Sequence, residues 1–384
     1  MINKYDVAII GAGPSGCACA LALHRSGLRV VLIDKDFFPR DKICGDAIPA
    51  LAFKAMDRIK PEWGLAMRQF ADHAGIYTSK VFAPNGKTIK LDWVLHAYNS
   101  KRLHFDNFLM QLVRAETETT ILENKRLQKI TVDMDHVCCQ FQDGSFLKTA
   151  IVVGCDGANS VVKRQLGKLE PLDKHSSAAV RAYFSGVDGV KPGVNEFHYF
   201  NELLPGYFWI FPLDNGWTNV GFGISQSKHR KNKKPINLRD SLHTIITTSP
   251  SIAPRFKNAK LLEDIKGFAL PFWTQKRAIS GERFMLCGDA ASLIDPLQGH
   301  GIDKSMWSGL FAAEQAVKCF NTTDFTADCM LQYDTQLYNK IGEELARSSF
   351  IMRLLLRFPW LINLSVWVGQ NQTLTNWIAR KLKI

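Results

Sequence analysis

Tyr5-Asp6-Val7-Ala8-Ile9-Ile10-Gly11-Ala12-Gly13-Pro14-Ser15-Gly16 is the stretch that decides the fold class of this 384-residue chain. An Ala/Leu-rich helix follows it, then the apolar run Val30-Val31-Leu32-Ile33 ending at Asp34. Strand, glycine turn, helix and strand make one complete βαβ unit, and each part has a physical role. Gly11 permits the tight turn, Gly13 lets the backbone approach a pyrophosphate, and Gly16 lets helix and strand pack closely. The helix N-terminus offers unpaired N–H groups and partial positive charge to that pyrophosphate. Asp34 stands where a carboxylate accepts from ribose hydroxyls. The unit therefore predicts dinucleotide binding.

The chain is long enough for two closely packed domains, and its 46% apolar content is that of an ordinary soluble protein. No apolar run reaches the ~20 residues needed to span a bilayer. The N-terminal segment enters a strand with no charged-then-apolar leader, so a cytoplasmic location is expected, peripheral at the inner face of the membrane if the C-terminus docks there. Nine scattered cysteines, an odd number, argue for reduced thiols over a disulfide framework, and none has zinc-ligand spacing. No metal site is expected. The net charge of +12 comes without a nucleic-acid recognition motif, so nucleic acid is not expected as a partner. Part of that charge lies in Lys228-His229-Arg230-Lys231-Asn232-Lys233-Lys234, which reads as a solvated turn.

Further along, Phe38–Gly45 reads as a Pro/Gly-punctuated loop, with a helix near Pro49–Ile59. Gly75 to Asp92 alternates as short strands, Lys101–Ala115 is an amphipathic helix, and Leu127–Phe146 reads as two strands with turns at Val132–Val137 and Asp143-Gly144. Ala150–Val153 is a buried strand. Ala178 to Phe272 shows mostly strand patterns, Arg283–Cys287 is another buried strand, Asp303–Phe320 a long helix, and the remainder is helical. The predicted class is α/β with an α+β insertion: a Rossmann-like domain (1–70, 99–170, 276–320), an interleaved antiparallel β-sheet domain (71–98, 171–275) and C-terminal helices (321–384).

Two more turns follow strands as Gly11 does: Gly154-Cys155-Asp156-Gly157-Ala158-Asn159-Ser160 and Gly288-Asp289-Ala290-Ala291. In a parallel sheet ligands sit at the carboxyl ends of the strands, so all three turns face one crevice. Asp289 is placed to accept from ribityl hydroxyls. The helix after Gly299-His300-Gly301 points its N-terminus at the negative charge of a reduced flavin ring.

These segments, with the Arg102-x-x-Phe105-Asp106 helix, Ser160-x-Val162 and Asp295-Pro296, resemble the flavoproteins typified by para-hydroxybenzoate hydroxylase. Pro39-Arg40-x-Lys42-x-Cys44-Gly45, Tyr207-Phe208-Trp209-Ile210-Phe211-Pro212 and Asp295-Pro296-Leu297-x-Gly299-x-Gly301-Ile302 are similar to the geranylgeranyl reductase family within that group. The resemblance covers most of the chain. It implies non-covalent FAD held by Gly11, Gly13, Pro14, Ser15, Gly16, Asp34 and Lys35 on the ADP half. Arg102 is implied at the pyrophosphate or ribityl side, Asp156 near the cofactor, Asp289 at the ribityl chain, and Gly299 and Gly301 against the flavin ring, with Lys42, Cys44, Gly45, Gly288, Pro296 and Ile302 also cofactor-binding. Two positions depart from the pattern. Lys163 stands where the group often has Arg, and Arg-to-Lys is not conservative at a bidentate site. His300 stands where a small or acidic residue is common.

Tyr207, Trp209 and Phe211 alternate along a strand and so share a face, and the resemblance makes them, with Pro212, the substrate side. Such a wall suits a long apolar substrate, and its π faces attract the cation left when hydride reaches an isolated alkene. Tyr207 and Trp209 are thus candidate catalytic residues as well as substrate contacts. Cys44 follows the basic Arg40-x-Lys42, which is expected to depress its pKa, and is the candidate acid or gate; a small buried residue is the plainer reading. Phe350-Ile351-Met352-Arg353-Leu354-Leu355-Leu356-Arg357-Phe358-Pro359-Trp360, Trp367, Trp377 and the tail Arg380-Lys381-Leu382-Lys383 suit a water–lipid interface, or else close helices over the core.

The favoured reading is reduction of prenyl double bonds. The alternative is oxygen chemistry, hydroxylation or halogenation, on an aromatic or apolar substrate; halogenating relatives often carry Trp-x-Trp-x-Ile-Pro where this chain has Tyr207, Trp209, Phe211 and Pro212. No second strand–GxGxxG–helix unit serves a nicotinamide, so the electron donor is external: NADPH, a ferredoxin or a quinol.

Overall fold

The computed structural model describes residues 4–167, 177–204, 206–225 and 237–371. The basic run Lys228–Lys234, Trp377 and the tail Arg380–Lys383 lie outside the described residues. The chain starts in one sheet with β1 (Lys4–Ile10), α1 (Pro14–Ala22) and β2 (Val30–Ile33). β3 (Ala47–Ile48) crosses to a second sheet and is followed by α2 (Ala50–Ile59), α3 (Pro61–Gln69) and the pair β4 (Ala74–Phe82) and β5 (Thr88–Asn99). Helix α4 (Arg102–Glu116) returns the chain to the first sheet for β6 (Thr120–Leu122), β7 (Leu127–Val132), β8 (Val137–Phe141), β9 (Phe146–Gly154) and the short α5 (Val161–Gln165). The second sheet resumes with β10 (Ser177–Ser185), β11 (Val194–His198), β12 (Tyr207–Pro212) and β13 (Trp217–Ser225), then α6 (Leu238–Thr248), β14 (Lys260–Leu261) and β15 (Lys266–Leu270). β16 (Ser280–Gly281) and β17 (Phe284–Leu286) rejoin the first sheet, and α7 (Ile302–Thr322), α8 (Ala327–Arg357) and α9 (Leu361–Gln370) follow.

The first sheet runs β16-β17-β9-β1-β2-β6, parallel from β17 to β6. Val7–Ile10, Val30–Ile33 and Ile151–Val153 are buried because helices cover both faces, as parallel sheets require. Each such side chain contributes about 1.5–3 kcal/mol of burial. The carboxyl ends of β1, β9 and β17 lie side by side, Ile10 against Gly154 and Gly154 against Leu286. That adjacency brings the three glycine turns to one edge.

The second sheet runs β14-β10-β13-β12-β11-β4-β5-β3. It is mixed where the sequence reading expected antiparallel, because β11 pairs β4 in parallel. Helix α6 also stands inside the stretch read as strands. Its apolar Leu242 and Ile245 lie among β-branched neighbours and cover one face of the sheet, packed with Val180, Phe208, Val220 and Phe222. Helix α3, which the sequence reading did not separate, starts at Pro61 directly after α2.

Candidate functional site

At the carboxyl end of β1, Gly11 adopts φ +103°, and a Cβ there would fall on the Cys155 carbonyl and close on Asp156. A Cβ at Gly16 would fall on the Gly11 carbonyl. Gly13 is the N-cap of α1 and supplies no side-chain cap, with Pro14 at the first helical position, so no side chain competes with an anion for the first-turn N–H groups of Ser15 and Gly16. Asp34, at the end of β2, is buried and accepts from the Ala12 N–H (2.7 Å) and the Asp36 N–H (3.0 Å). Lys35 beside it is exposed.

The loop after β2 adds Arg40, whose guanidinium bonds Asp106 at 2.9 Å and stands 3.8 Å from Asp34. Arg102, the first residue of α4, is buried and grips Asp106 through two bonds of 2.6 and 2.7 Å. Burial alone would raise the Asp106 carboxyl, but Arg102 and then Arg40 outweigh it and hold it below its ordinary range. Arg102 also reaches the Cys44 thiol.

On the far side of the crevice Lys42 donates to Asp289 at 3.1 Å, joining two residues 247 positions apart. Gly288 (φ +55°) abuts Ser305 and Ser15, so the 288 turn, α1 and α7 converge. Helix α7 starts after Gly301 with no side-chain cap, leaving Ile302 and its neighbours with free N–H groups. Asp295 Oδ1 accepts from the Leu297 and Gln298 N–H groups (both 2.8 Å) across Pro296, whereas its buried Oδ2 has no partner in the protein. Asp156 caps α5 through the Val161 N–H (2.6 Å), burial raises its carboxyl, and its Oδ1 is also unpartnered. Lys163 bonds Ser292 at 2.9 Å. Burial pulls His300 down, but Asp303 (3.0 Å) more than offsets it, so the imidazole is easier to protonate than a free one. Glycine cradle, two uncapped helix N-termini and unpartnered carboxylate oxygens fit a flavin adenine dinucleotide laid along this edge.

The second sheet supplies the opposite wall. Tyr207, Trp209 and Phe211 share one face of β12, with Phe197 of β11 edge-on to Tyr207 (5.5 Å between ring centroids) and to Phe211 (5.1 Å). The Tyr207 hydroxyl donates to the Gln298 carbonyl (2.8 Å) and lies against Gly299. At the other end Gly45 lies under Trp209 and Phe211, where a Cβ would come within 3.8 and 3.6 Å of their rings. Pro212 closes β12, its carbonyl accepting from Asn99 at 2.8 Å. The wall therefore spans the turns at 44–45 and 298–299.

Cys44 overturns one expectation. Burial is the largest influence on its thiol and raises the pKa, where Arg40 and Lys42 were expected to depress it. Arg102 and, less strongly, Lys42 do pull it down, but burial outweighs them. A thiol that keeps its proton is a donor, not a nucleophile.

Several residues escaped sequence reading. Gly221, opposite Trp209 in β13, makes the slot for the indole, since a Cβ there would fall inside the ring. Asn219 accepts from Trp209 Nε1 (2.9 Å). Gly309 lets α7 rest on the Ser15 carbonyl. The alternation Asn219-Val220-Gly221-Phe222-Gly223 carried the signal for a one-sided slot, but its partner Trp209 is named only by strand pairing.

Residues 4–310 match the family described as FAD binding domain, and the chain belongs to that family. It is an FAD-dependent oxidoreductase, similar over most of its length to geranylgeranyl-type reductases. The digeranylgeranylglycerophospholipid reductase of Methanoculleus marisnigri is 27% identical over 366 residues, 91% of this chain and 85% of that protein. The menaquinone reductase of Mycobacterium tuberculosis is 29% identical over 326 residues, 81% and 76% of the two chains. Among solved structures, a geranylgeranyl bacteriochlorophyll reductase-like protein from Thermoplasma acidophilum superposes with TM-score 0.81 at 20% identity, covering 97% of this chain and 93% of that one. A flavin-dependent brominase does so with TM-score 0.78 at 20% identity, covering 98% and 93%, which shows that the fold is shared across different chemistries.

Proposed function

We propose that this protein saturates carbon–carbon double bonds of a polyprenyl lipid. The observation that carries the reading is the aromatic face of β12 and β11, stretched between the turn that holds Cys44 and the turn at Gly299. Bound in the cradle, reduced FAD supplies a hydride. Tyr207, Trp209 and Phe211 exclude water from the substrate chain and face the positive charge left on the alkene. Cys44 holds a proton at Sγ for that carbon, and Arg102 beside it favours the thiolate left behind.

The same face continues outward. Trp209 pairs with Phe197, Phe197 with Val81 and Val81 with Ile89, so by the pleat all four point one way. Leu91 follows Ile89 on that face, and Trp93 Nε1 reaches Ser79 there. Between the pairs Thr78–Asp92 and Ile76–Ala97, β5 bulges four residues, Trp93–His96, against one. Val94 in that bulge is 95% exposed. Helix α9 buries Ile362 and Val366 against Ala83 and Leu204, yet shows Trp360, Leu364 and Trp367 to solvent and carries no charged residue. Phe350 and Leu354 near the end of α8, and Phe358 at its C-cap, are exposed beside Arg353 and Arg357. A helix apolar on both faces and an apolar bulge, edged by arginines, suit a bilayer surface from which a prenyl chain passes along the sheet. Among the described residues no single helix is long and apolar enough to cross a membrane. From the exposed apolar rim and its arginines we infer a peripheral enzyme at the inner face of the cytoplasmic membrane, and its electron donor as external, NADPH, a ferredoxin or a quinol.

The test is a mass spectrum of products after chemically reduced, FAD-loaded protein meets a prenyl-lipid mixture, with and without oxygen. Gain of hydrogen pairs without oxygen is the expected result. No anaerobic change, with oxygen or halogen added in air, would move the chain to the monooxygenase or halogenase side.

A further inference from the structure

The turn that leads into α7 carries a cluster of charges that the reduction chemistry described above leaves unused. Asp295 closes this turn, its carbonyl accepting from the Gly299 N–H (2.9 Å) and its N–H donating to the His300 carbonyl (3.0 Å). The turn touches both walls of the crevice. A Cβ on Gly299 would come within 2.8 Å of the Tyr207 hydroxyl, and one on Gly301 within 3.7 Å of Asp289 Oδ1. His300 stands between those two glycines, directly before the uncapped N-terminus of α7. Its ring nitrogens are both engaged, Nδ1 with Asp303 Oδ1 at 3.0 Å and Nε2 with Gln298 Oε1 at 3.1 Å. Both partners are oxygens. A neutral imidazole donates to only one of them, whereas the imidazolium donates to both.

The groups around this ring are mostly acidic. Asp303, in the first turn of α7, is buried, and Lys304 beside it is fully buried. Lys304 Nζ bonds Asp303 Oδ2 (2.7 Å) and Glu344 Oε1 of α8 (2.8 Å). Asp295 is buried as well, with Oδ2 unpartnered, and makes no ion pair among the described residues. Across the crevice Lys42 and Asp289 offset each other, and burial keeps the Tyr207 hydroxyl and the Cys44 thiol protonated. The carboxylates of Asp303, Glu344 and Asp295 thus face the single ammonium of Lys304, and His300 is the further cation this group can gain. Without it, their negative charge repels an anion laid at the helix end and opposes what the free N–H groups offer.

We propose that His300, as an imidazolium held by Asp303 and Gln298, lets the N-terminus of α7 accept the negative charge of reduced flavin and thereby raises the reduction potential of this protein's FAD. His300 acts through the charge of the helix end and gives nothing to the substrate, so the inference holds whichever substrate takes the hydride. Two electrons from the external donor and one proton convert the bound flavin to a form with one negative charge. Where His300 is neutral before that step, the new charge draws a solvent proton onto its ring. Protonated His300 favours reduced over oxidised flavin. That advantage is lost as pH rises through the titration of the imidazole, which burial pulls down and Asp303 raises by more.

The test is the two-electron midpoint potential of FAD-loaded protein, read by anaerobic dye equilibration at pH 6 and pH 9 with equal flavin content. Three proteins are compared: the parent, His300→Gln, which keeps hydrogen-bonding groups without charge, and His300→Lys, which carries its charge at both pH values. At pH 6 His300→Gln is expected to lose about tenfold in its preference for reduced over oxidised flavin, a potential lower by about 30 mV. His300→Lys is expected to stay near the parent there. At pH 9 the gap between parent and His300→Gln is expected to close, with His300→Lys above both. Equal potentials for parent and His300→Gln at pH 6 overturn the inference. So does a gap of the same size at both pH values, which a displaced turn would give, or a His300→Lys that matches His300→Gln at pH 6. Hydrogenation of prenyl lipids is read separately, and its absence overturns the reductase reading alone.

Discussion

Asp46, buried after the Cys44-Gly45 turn and accepting from Tyr183 and Asn219, shows how one buried carboxyl makes stability depend on pH. Its folded-state pKa of about 6 lies above the ordinary 3.8, so the native state binds this proton more tightly than the unfolded chain. Its contribution to stability is complete below about 3.8 and is lost as pH rises through about 6. The difference between those two values corresponds to about 3 kcal/mol. Asp46→Asn should therefore gain stability over the parent between pH 4 and pH 8, by most of that amount, in urea unfolding measured at both pH values. Equal differences at the two pH values would mean that Asp46 is not held in this state. Gly221 is the complementary case, a residue defined by what it lacks. A methyl group there drives Trp209 from its slot, so Gly221→Ala should cost about 1–3 kcal/mol and raise the KM for a prenyl substrate. An unchanged KM would detach the indole from substrate binding.

Among the elements, the contact of α1 with α7 does the most to shape the cofactor cradle. The two helices meet where Gly309 passes the Ser15 carbonyl, and their N-termini flank the Gly288 turn. Neither helix N-terminus carries a side-chain cap, so their free N–H groups remain for the cofactor instead of for a Ser or Asp. Gly309→Ala should push α7 off the Ser15 turn and weaken FAD retention about tenfold or more, that is by at least about 1.4 kcal/mol. Flavin absorbance after gel filtration reads this directly, and full retention would show that the packing has slack.

For the molecule as a whole, the second sheet does three things at once. One face packs on α6, the other carries the aromatic wall, and that same face runs out to the exposed rim at β5 and α9. Replacing Trp360, Leu364 and Trp367 together by Ser should abolish flotation with anionic vesicles, since each apolar side chain inserted is worth about 1.5–3 kcal/mol. Turnover of detergent-dispersed substrate should persist, because none of the three touches the wall. Vesicle binding that survives the triple change would place the docking surface elsewhere.

The βαβ unit at Tyr5–Asp34, the strand-end turns at Asp156 and Asp289 and the stripe Tyr207-Trp209-Phe211 could be read directly because each is local: periodicity and glycine spacing report backbone geometry within a few residues. Those features settled the class of fold and the FAD-binding family, and pointed to the glycine-turn edge and the aromatic stripe as the candidate site. Only the tertiary structure decided what surrounds each group. It buried the Cys44 thiol, and so left it a raised pKa where its neighbours in sequence suggested a lowered one. It made the second sheet mixed, placed α6 over one face of it, and joined Asp46, Tyr183, Asn219 and Trp209 into one chain. The physical reason is that burial and pairing set the energy of a charge, and both come from residues distant in sequence, 66 positions for Arg40 and Asp106 and 247 for Lys42 and Asp289.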